Sequence, residues 1–255
     1  MRFDVITLFP DLFGPFLQCG VTRRAFESGQ VAVHLHNPRD FAGGNYRRVD
    51  DRPFGGGPGM VMMAEPLRRT LEHIRAQRSD EAPVVLFSPI GDRLDHSGVV
   101  SWSQSRGAIL LCGRYEGIDQ RFIDACVDQQ ISLGDFVLSG GEVPAMALLD
   151  AVARLQPDVL ADAQSHQLDS FNPELGGLLD CPHFTRPEVW EGRGVPEVLL
   201  SGHHEKIALW RREQSLRLSA ELRPDLLARA RVQGQISAAE ERILAGNAGR
   251  QKKPL

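Results

Sequence analysis

SLGDFVLSGGEVPAM at residues 132–146, read with LCGRYEGIDQR at 111–121, decides the fold class of this 255-residue chain. Both stretches are dense in glycine and short polar residues, and each follows an apolar run of β character. Open α/β sheets build their ligand sites from such loops at the carboxyl ends of strands. In the second stretch Gly113 directly follows AILLC (108–112), which sets Arg114, Tyr115 and Glu116 at that edge. SPIG at 88–91 ends another apolar run, VVLFS (84–88), so three loops are expected to converge on one sheet edge. The convergence points to an enzyme.

Outward from these loops, strand and helix alternate. FDVITLF (3–9) reads as a buried strand, after which Pro10 opens a helix that runs in two pieces to about Ser28. VAVHLH (31–36) alternates as a strand. The glycine-rich, charged segment 38–60 is expected to hold no regular structure, and AEPLRRTLEHIRAQR (64–78) is a helix that tolerates Pro66 in its first turn. Helices over about 95–104, 118–126 and 142–155 and a short strand near 130–133 complete the pattern. Near-continuous apolar strands separated by helices mean a parallel sheet covered on both faces.

Residues 157–195 are rich in Pro, Gly, Asp and Ser and too long for a passive connection, so the segment is expected to be functional or mobile. Beyond it, HEKIALWRREQSLRLSAEL (204–222) reads as a strongly amphipathic helix, followed by RPDLLARAR and SAAEERILAG as two shorter ones and a polar tail, QKKPL. Residues 201–255 hold 11 Lys and Arg against 6 Asp and Glu, although the whole chain is at −4. A basic end on an acidic body fits an auxiliary nucleic-acid-binding region or a solvated helical surface.

Several chemistries are disfavoured. The start, MRFDVITLFPDLF, lacks the apolar core of a secretory signal, and nowhere do about 18 uncharged apolar residues run together. A cytoplasmic protein without a membrane partner is expected. Cys19, Cys112, Cys126 and Cys181 form no CxxC pair and are expected to be buried free thiols. VDDRPFGGGPGMVM (49–62) lacks the Lys-Ser/Thr pair of a triphosphate-binding loop; its glycines suit a tight turn or a close backbone approach. His34 and His36, on one side of a strand, and His183 beside Cys181 read as packed or hydrogen-bonded histidines.

VDDRPFGGGPGM, LCGRYEGIDQR, SLGDFVLSGGEVPAM and GLLDCPHFTRPE, in that order, resemble the bacterial tRNA (guanine-N1)-methyltransferases of the SPOUT superfamily, and the likeness covers nearly the whole chain. The resemblance implies an α/β fold: a SPOUT-type parallel sheet with a deep C-terminal trefoil knot over about 84–147, plus a small all-α C-terminal domain. It implies a methyltransferase domain over 1–158, a flexible linker over 159–175 and a helical tRNA-binding domain over 176–255. No periodicity could reveal a knot, among the rarest of backbone features.

Carried over by motif, the resemblance places S-adenosylmethionine among Ser88, Pro89, Gly113, Tyr115, Glu116, Leu133, Gly134, Asp135, Phe136, Val137, Leu138, Gly140, Gly141 and Pro144. The implied reaction is methyl transfer to N1 of guanine-37 in tRNA, just 3′ of the anticodon, which supports reading-frame maintenance. Guanine N1 bears a proton that a base must take, and its departure pushes negative charge onto O6. By resemblance Asp169 is the base and Arg154 the cation at O6; on the residues alone they read as a loop carboxylate and a helix C-terminal charge. Asp50 and Arg52 are expected near the target base, and Asp180, His183 and Arg186 facing the RNA.

The resemblance further implies a homodimer with its active site at the subunit interface, and magnesium dependence; DNA is not an expected partner. Ile90 stands where the family usually has glutamine, and Phe136 and Phe184 where it has tyrosine, so hydroxyls are lost but stacking survives. Two rivals stay in view. A SPOUT enzyme acting on ribosomal RNA or a ribose hydroxyl has no need of Asp169, and a non-catalytic RNA-binding protein would not consume the donor.

Overall fold

The computed structural model describes residues 1–160 and 167–246. The chain divides into two compact units, Met1–Ala161 and Asp162–Leu255. In the first, β1 (Arg2–Ile6) leads through a 3-10 turn opened by Pro10 into α1 (Phe13–Gln18) and α2 (Arg23–Glu27), then β2 (Ala32–His36). There follow β3 (Asp50–Asp51), β4 (Val61–Met62), α3 (Ala64–Ala76), β5 (Val84–Arg93), α4 (His96–Ser103), β6 (Ile109–Leu111), α5 (Gln120–Cys126), β7 (Gln129–Ser132) and α6 (Glu142–Arg154).

Five strands form one parallel sheet in the order β2-β1-β6-β5-β7. The inner strands are apolar on both faces because helices cover both. Phe3, Val5, Val85 and Leu110 pack with Leu148, Leu149 and Val152 of α6. Ile6, Leu86, Ile109 and Leu111 pack with Leu67, Leu71 and Ile74 of α3 and Phe122 of α5. Successive residues thus alternate between two apolar layers, as the pleat requires.

Segment 38–60 is more regular than its composition suggests. It contains a 3-10 turn at Pro38–Phe41, and β3 pairs antiparallel with β4, Asp50 opposite Met62. Gly55, Gly56, Gly57 and Gly59 all take positive φ in the connecting turn, so the glycines that argue against structure are what bend the ribbon. β5 also outruns its expected end. Phe87 and then Asp92 both pair with Ile131 of β7, and SPIG forms the excursion between them. Gly91 is obligatory in that excursion, since a Cβ there would lie 2.5 Å from the backbone of Gln130 and Ile131. Cys19 is exposed, against expectation, because it follows α1 in a surface turn, and His34 is exposed as well.

The second unit contains β8 (Val189–Trp190), β9 (Arg193–Gly194), α7 (Glu197–Leu200), α8 (His204–Leu222), α9 (Pro224–Val232) and α10 (Ala238–Ala245). It is therefore not all-α: β8 and β9 form an antiparallel ribbon. Glu191 and Gly192 both take positive φ, which closes a two-residue hairpin without the Asn-Gly or Asp-Gly pair that usually announces one. Leu178, Leu216, Leu226, Leu227 and Ala230 make its core. α8 buries a narrower stripe than expected, Ser215, Leu216 and Ser219, and leaves Leu209 and Leu222 exposed. Hydroxyls make up the difference: Ser215 Oγ donates to the Leu179 carbonyl, and the Leu179 amide donates to Ser219 Oγ. Residues 161–166 of the expected linker, and the QKKPL tail, lie outside the described residues.

Candidate active site

The carboxyl ends of β5, β6 and β7 open onto a cavity of about 280 Å³. Ser88, Pro89, Gly113, Tyr115, Glu116, Leu133, Gly134, Phe136, Val137, Leu138, Gly140, Gly141 and Pro144 all line it. Its apolar wall includes Leu86, Ile118 and Ile131. Asp135 departs from the expectation: it points outward, almost fully exposed, and pairs with Arg93 at 3.1 Å. The turn that brings Gly134 and Phe136 inward forces the side chain between them to solvent.

Two glycines make the walls possible. A Cβ at Gly141 would sit 2.7 Å from Cys112 Cα, and the Gly141 amide donates to the Gly113 carbonyl at 3.0 Å, tying two loops together. A Cβ at Gly140 would meet Arg114 Nε at 2.3 Å. Cys112 beneath them is fully buried; burial, helped by the Glu142 carboxylate, pushes its thiol well up, so it stays protonated and packs.

Arg114, placed at the sheet edge by the sequence but given no role there, braces the cavity. Its Nε donates to Glu142 Oε2 at 2.9 Å, its Nη1 donates to the Ser139 carbonyl at 3.1 Å, and its guanidinium lies 4.4 Å over the Phe9 ring. Glu142, the first residue of α6, is buried, and its other oxygen accepts from Thr7 Oγ1 at 2.9 Å. Two loops, β1 and α6 therefore meet in one charge-assisted network. Glu142 opening a helix after a glycine loop was the one signal in the sequence.

On the other side of the cavity Arg39 Nη2 donates to the Tyr115 hydroxyl at 3.3 Å. Burial and the neighbouring Asp50 carboxylate push the Tyr115 phenol up, which keeps it neutral. Asp50 thus sits beside a lining residue, because β3 and β4 fold back and Met62 bridges to Ile118. Arg52 is exposed in the turn, and its amide donates to Asp51.

Arg154 ends α6, half-buried. Asp169, also half-buried, lies in a turn of the second unit whose carbonyl accepts from the Asn172 amide at 3.2 Å. That turn is anchored: Ser170 Oγ accepts from the Asp180 amide at 2.9 Å, and the Phe171 amide donates to the Leu178 carbonyl. Asp180 in turn holds His183 Nε2 at 2.7 Å, while Arg186 is exposed. Asp180, Cys181 and His183 offer one group of potential metal ligands. Burial pushes the Cys181 thiol up, and Asp180 is already engaged, so the trio reads as a hydrogen-bonded corner.

Among the described residues no helix is long and apolar enough to cross a membrane. The family model described as tRNA (Guanine-1)-methyltransferase TrmD matches residues 1–229. A tRNA (guanine-N(1)-)-methyltransferase of Albidiferax ferrireducens is 71% identical over 245 residues, 96% of this chain and 99% of that protein. Proteins of the same name from Paracidovorax citrulli and Bordetella pertussis are 68% and 57% identical, covering 96% and 98% of this chain and 98% of each relative. With three glycine loops gathered on one cavity and this likeness along nearly its full length, the chain belongs to the TrmD family of tRNA (guanine-N1)-methyltransferases.

Proposed function

We propose that the cavity holds S-adenosylmethionine and that the enzyme methylates N1 of guanine-37 in tRNA. The convergence of three glycine loops on one cavity carries this reading. The lining fits the donor: glycines 113, 140 and 141 keep side chains out of the space, Leu138 and Ile118 offer apolar surface for an adenine ring, and Glu116 offers a carboxylate to a cationic group. When bound, the donor supplies a methyl group on a sulfonium centre.

Asp169 takes the N1 proton of guanine, and Arg154 holds the negative charge that develops on O6. Asp50 and Arg52 lie toward the target base, and Asp180, His183 and Arg186 face the RNA. The knot over about 84–147 is part of this reading, supported by the likeness to the family along nearly the full chain. The working unit is a cytoplasmic homodimer with the site at its interface, organised as a methyltransferase domain over 1–158, a linker over 159–175 and a tRNA-binding domain over 176–255. Magnesium, which takes oxygen ligands, does not match the thiol- and imidazole-containing trio that is the sole such cluster among the described residues.

Asp169→Ala should lower transfer by at least about 100-fold, the low end for general-base loss, with donor affinity retained. Calorimetric titration of the donor alongside single-turnover transfer checks it. Near-normal transfer by a folded Asp169→Ala protein would remove the aspartate from the mechanism.

A further inference from the structure

The second unit carries a separate hollow of about 420 Å³, bounded by residues 182–188, α7 and the start of α8. Phe184 and Trp210 form its aromatic part, edge to face, with ring centroids 6.1 Å apart and planes at 60°. Phe184 keeps 48% of its surface open, and Leu200 of α7 is likewise exposed. Two cations line the same hollow, Arg186 and Arg211, against a single carboxylate, Glu188.

Phe184 is too open to be spent on a core, and a purely apolar partner has no use for two guanidinium groups. Aromatic surface flanked by arginine is the chemistry that receives an unstacked nucleobase, the ring stacking and the cations meeting the adjoining phosphates. The charge that bears on the hollow is local, two arginines against one carboxylate, because the second unit as a whole balances at 13 basic and 13 acidic side chains. We propose that this hollow takes one unstacked base of the substrate tRNA, stacked on the open face of Phe184 with Trp210 at its edge, and with neighbouring phosphates on Arg186 and Arg211. The proposal rests on the tRNA-methylating reading above and adds to it a second base contact, apart from the target guanine.

The test is equilibrium binding of full-length protein to an unmodified G37 tRNA transcript across a salt series. Phe184→Leu keeps apolar bulk and removes the ring; it should weaken binding about 5-fold or more with the salt slope unchanged. Arg186→Gln should weaken binding and reduce the slope by about one. In a Trp102→Phe, Trp190→Phe background, tRNA should quench the remaining Trp210 emission, and Trp210→Phe, with an aromatic ring retained, should bind better than Trp210→Leu. Thermal melting identifies any variant that fails to fold. Wild-type tRNA affinity in folded Phe184→Leu and Trp210→Leu proteins would overturn the proposal. So would a loss of self-association in sedimentation without any change in tRNA affinity, which would assign the hollow to a second copy of the chain. If the wild-type protein bound tRNA with Phe184-dependent affinity yet transferred no methyl, the base site would stand and the catalytic reading would fall.

Discussion

Arg114 ties the walls of the cavity together, because one guanidinium serves Glu142, the Ser139 carbonyl and the Phe9 ring at once. Removing it would strand the buried Glu142 charge, which costs about 3 kcal/mol where such pairs are broken. Arg114→Ala should therefore lower the melting temperature and raise KM for the donor, both measurable on one preparation. Arg114→Lys should recover part of the stability without the two-pronged geometry. A Cβ at Gly140 meets the same guanidinium, so Gly140→Ala should reproduce the KM defect more mildly. The glycine loops were legible as loops because glycine density signals backbone freedom. This network was not, since Arg114 lies 28 residues from Glu142, which lies 135 residues from Thr7.

At the scale of elements, β1 is fastened to β2 and to the chain beyond α3 by one buried carboxylate. Asp4 accepts from Arg2, from His36 Nε2 at 2.9 Å and from Arg78, itself buried. Burial alone would raise Asp4, but the hydrogen bonds from His36, Arg2 and Arg78 win and hold it far below the usual carboxylate range. A lowered folded-state value contributes stability above about pH 4, the unfolded value, and loses it as pH falls further. Denaturant titrations from pH 6 down to pH 2 should show that loss, and Asp4→Asn should be less stable at pH 6 with a flatter acid slope; equal slopes would contradict the assignment. The sheet itself was readable from apolar runs, and nearly every helix from its period. The β3–β4 ribbon and the β8–β9 hairpin were not, since each strand has two residues, too few for alternation to register. α8 was legible as a helix but not in its packing, where serine hydroxyls replace the apolar residues that a stripe would need.

At the scale of the whole molecule, the sequence sets a sheet-building part before a helical one whose residues 201–255 carry a basic excess, and the chain divides into two compact units, Met1–Ala161 and Asp162–Leu255. Charge did not mark that division, because the basic excess over 201–255 is offset by 7 acidic against 2 basic side chains over 162–200 of the same unit. The pairing of β5 with Ile131 on both sides of the SPIG excursion was not readable, since it depends on where the chain passes rather than on what it contains. Electrostatic grip through the basic stretch 201–255 predicts that tRNA affinity falls steeply with salt, with a slope close to the number of phosphates engaged. A flat dependence between 50 and 200 mM salt would argue against backbone contacts as the source of affinity. The central claim is the reaction itself. Transfer from labelled S-adenosylmethionine to unmodified tRNA bearing G or A at position 37, with the product base mapped, tests it most directly. 1-Methylguanine is expected on the G substrate and nothing on the A substrate. Incorporation elsewhere, or none while donor and tRNA are both bound, would contradict it.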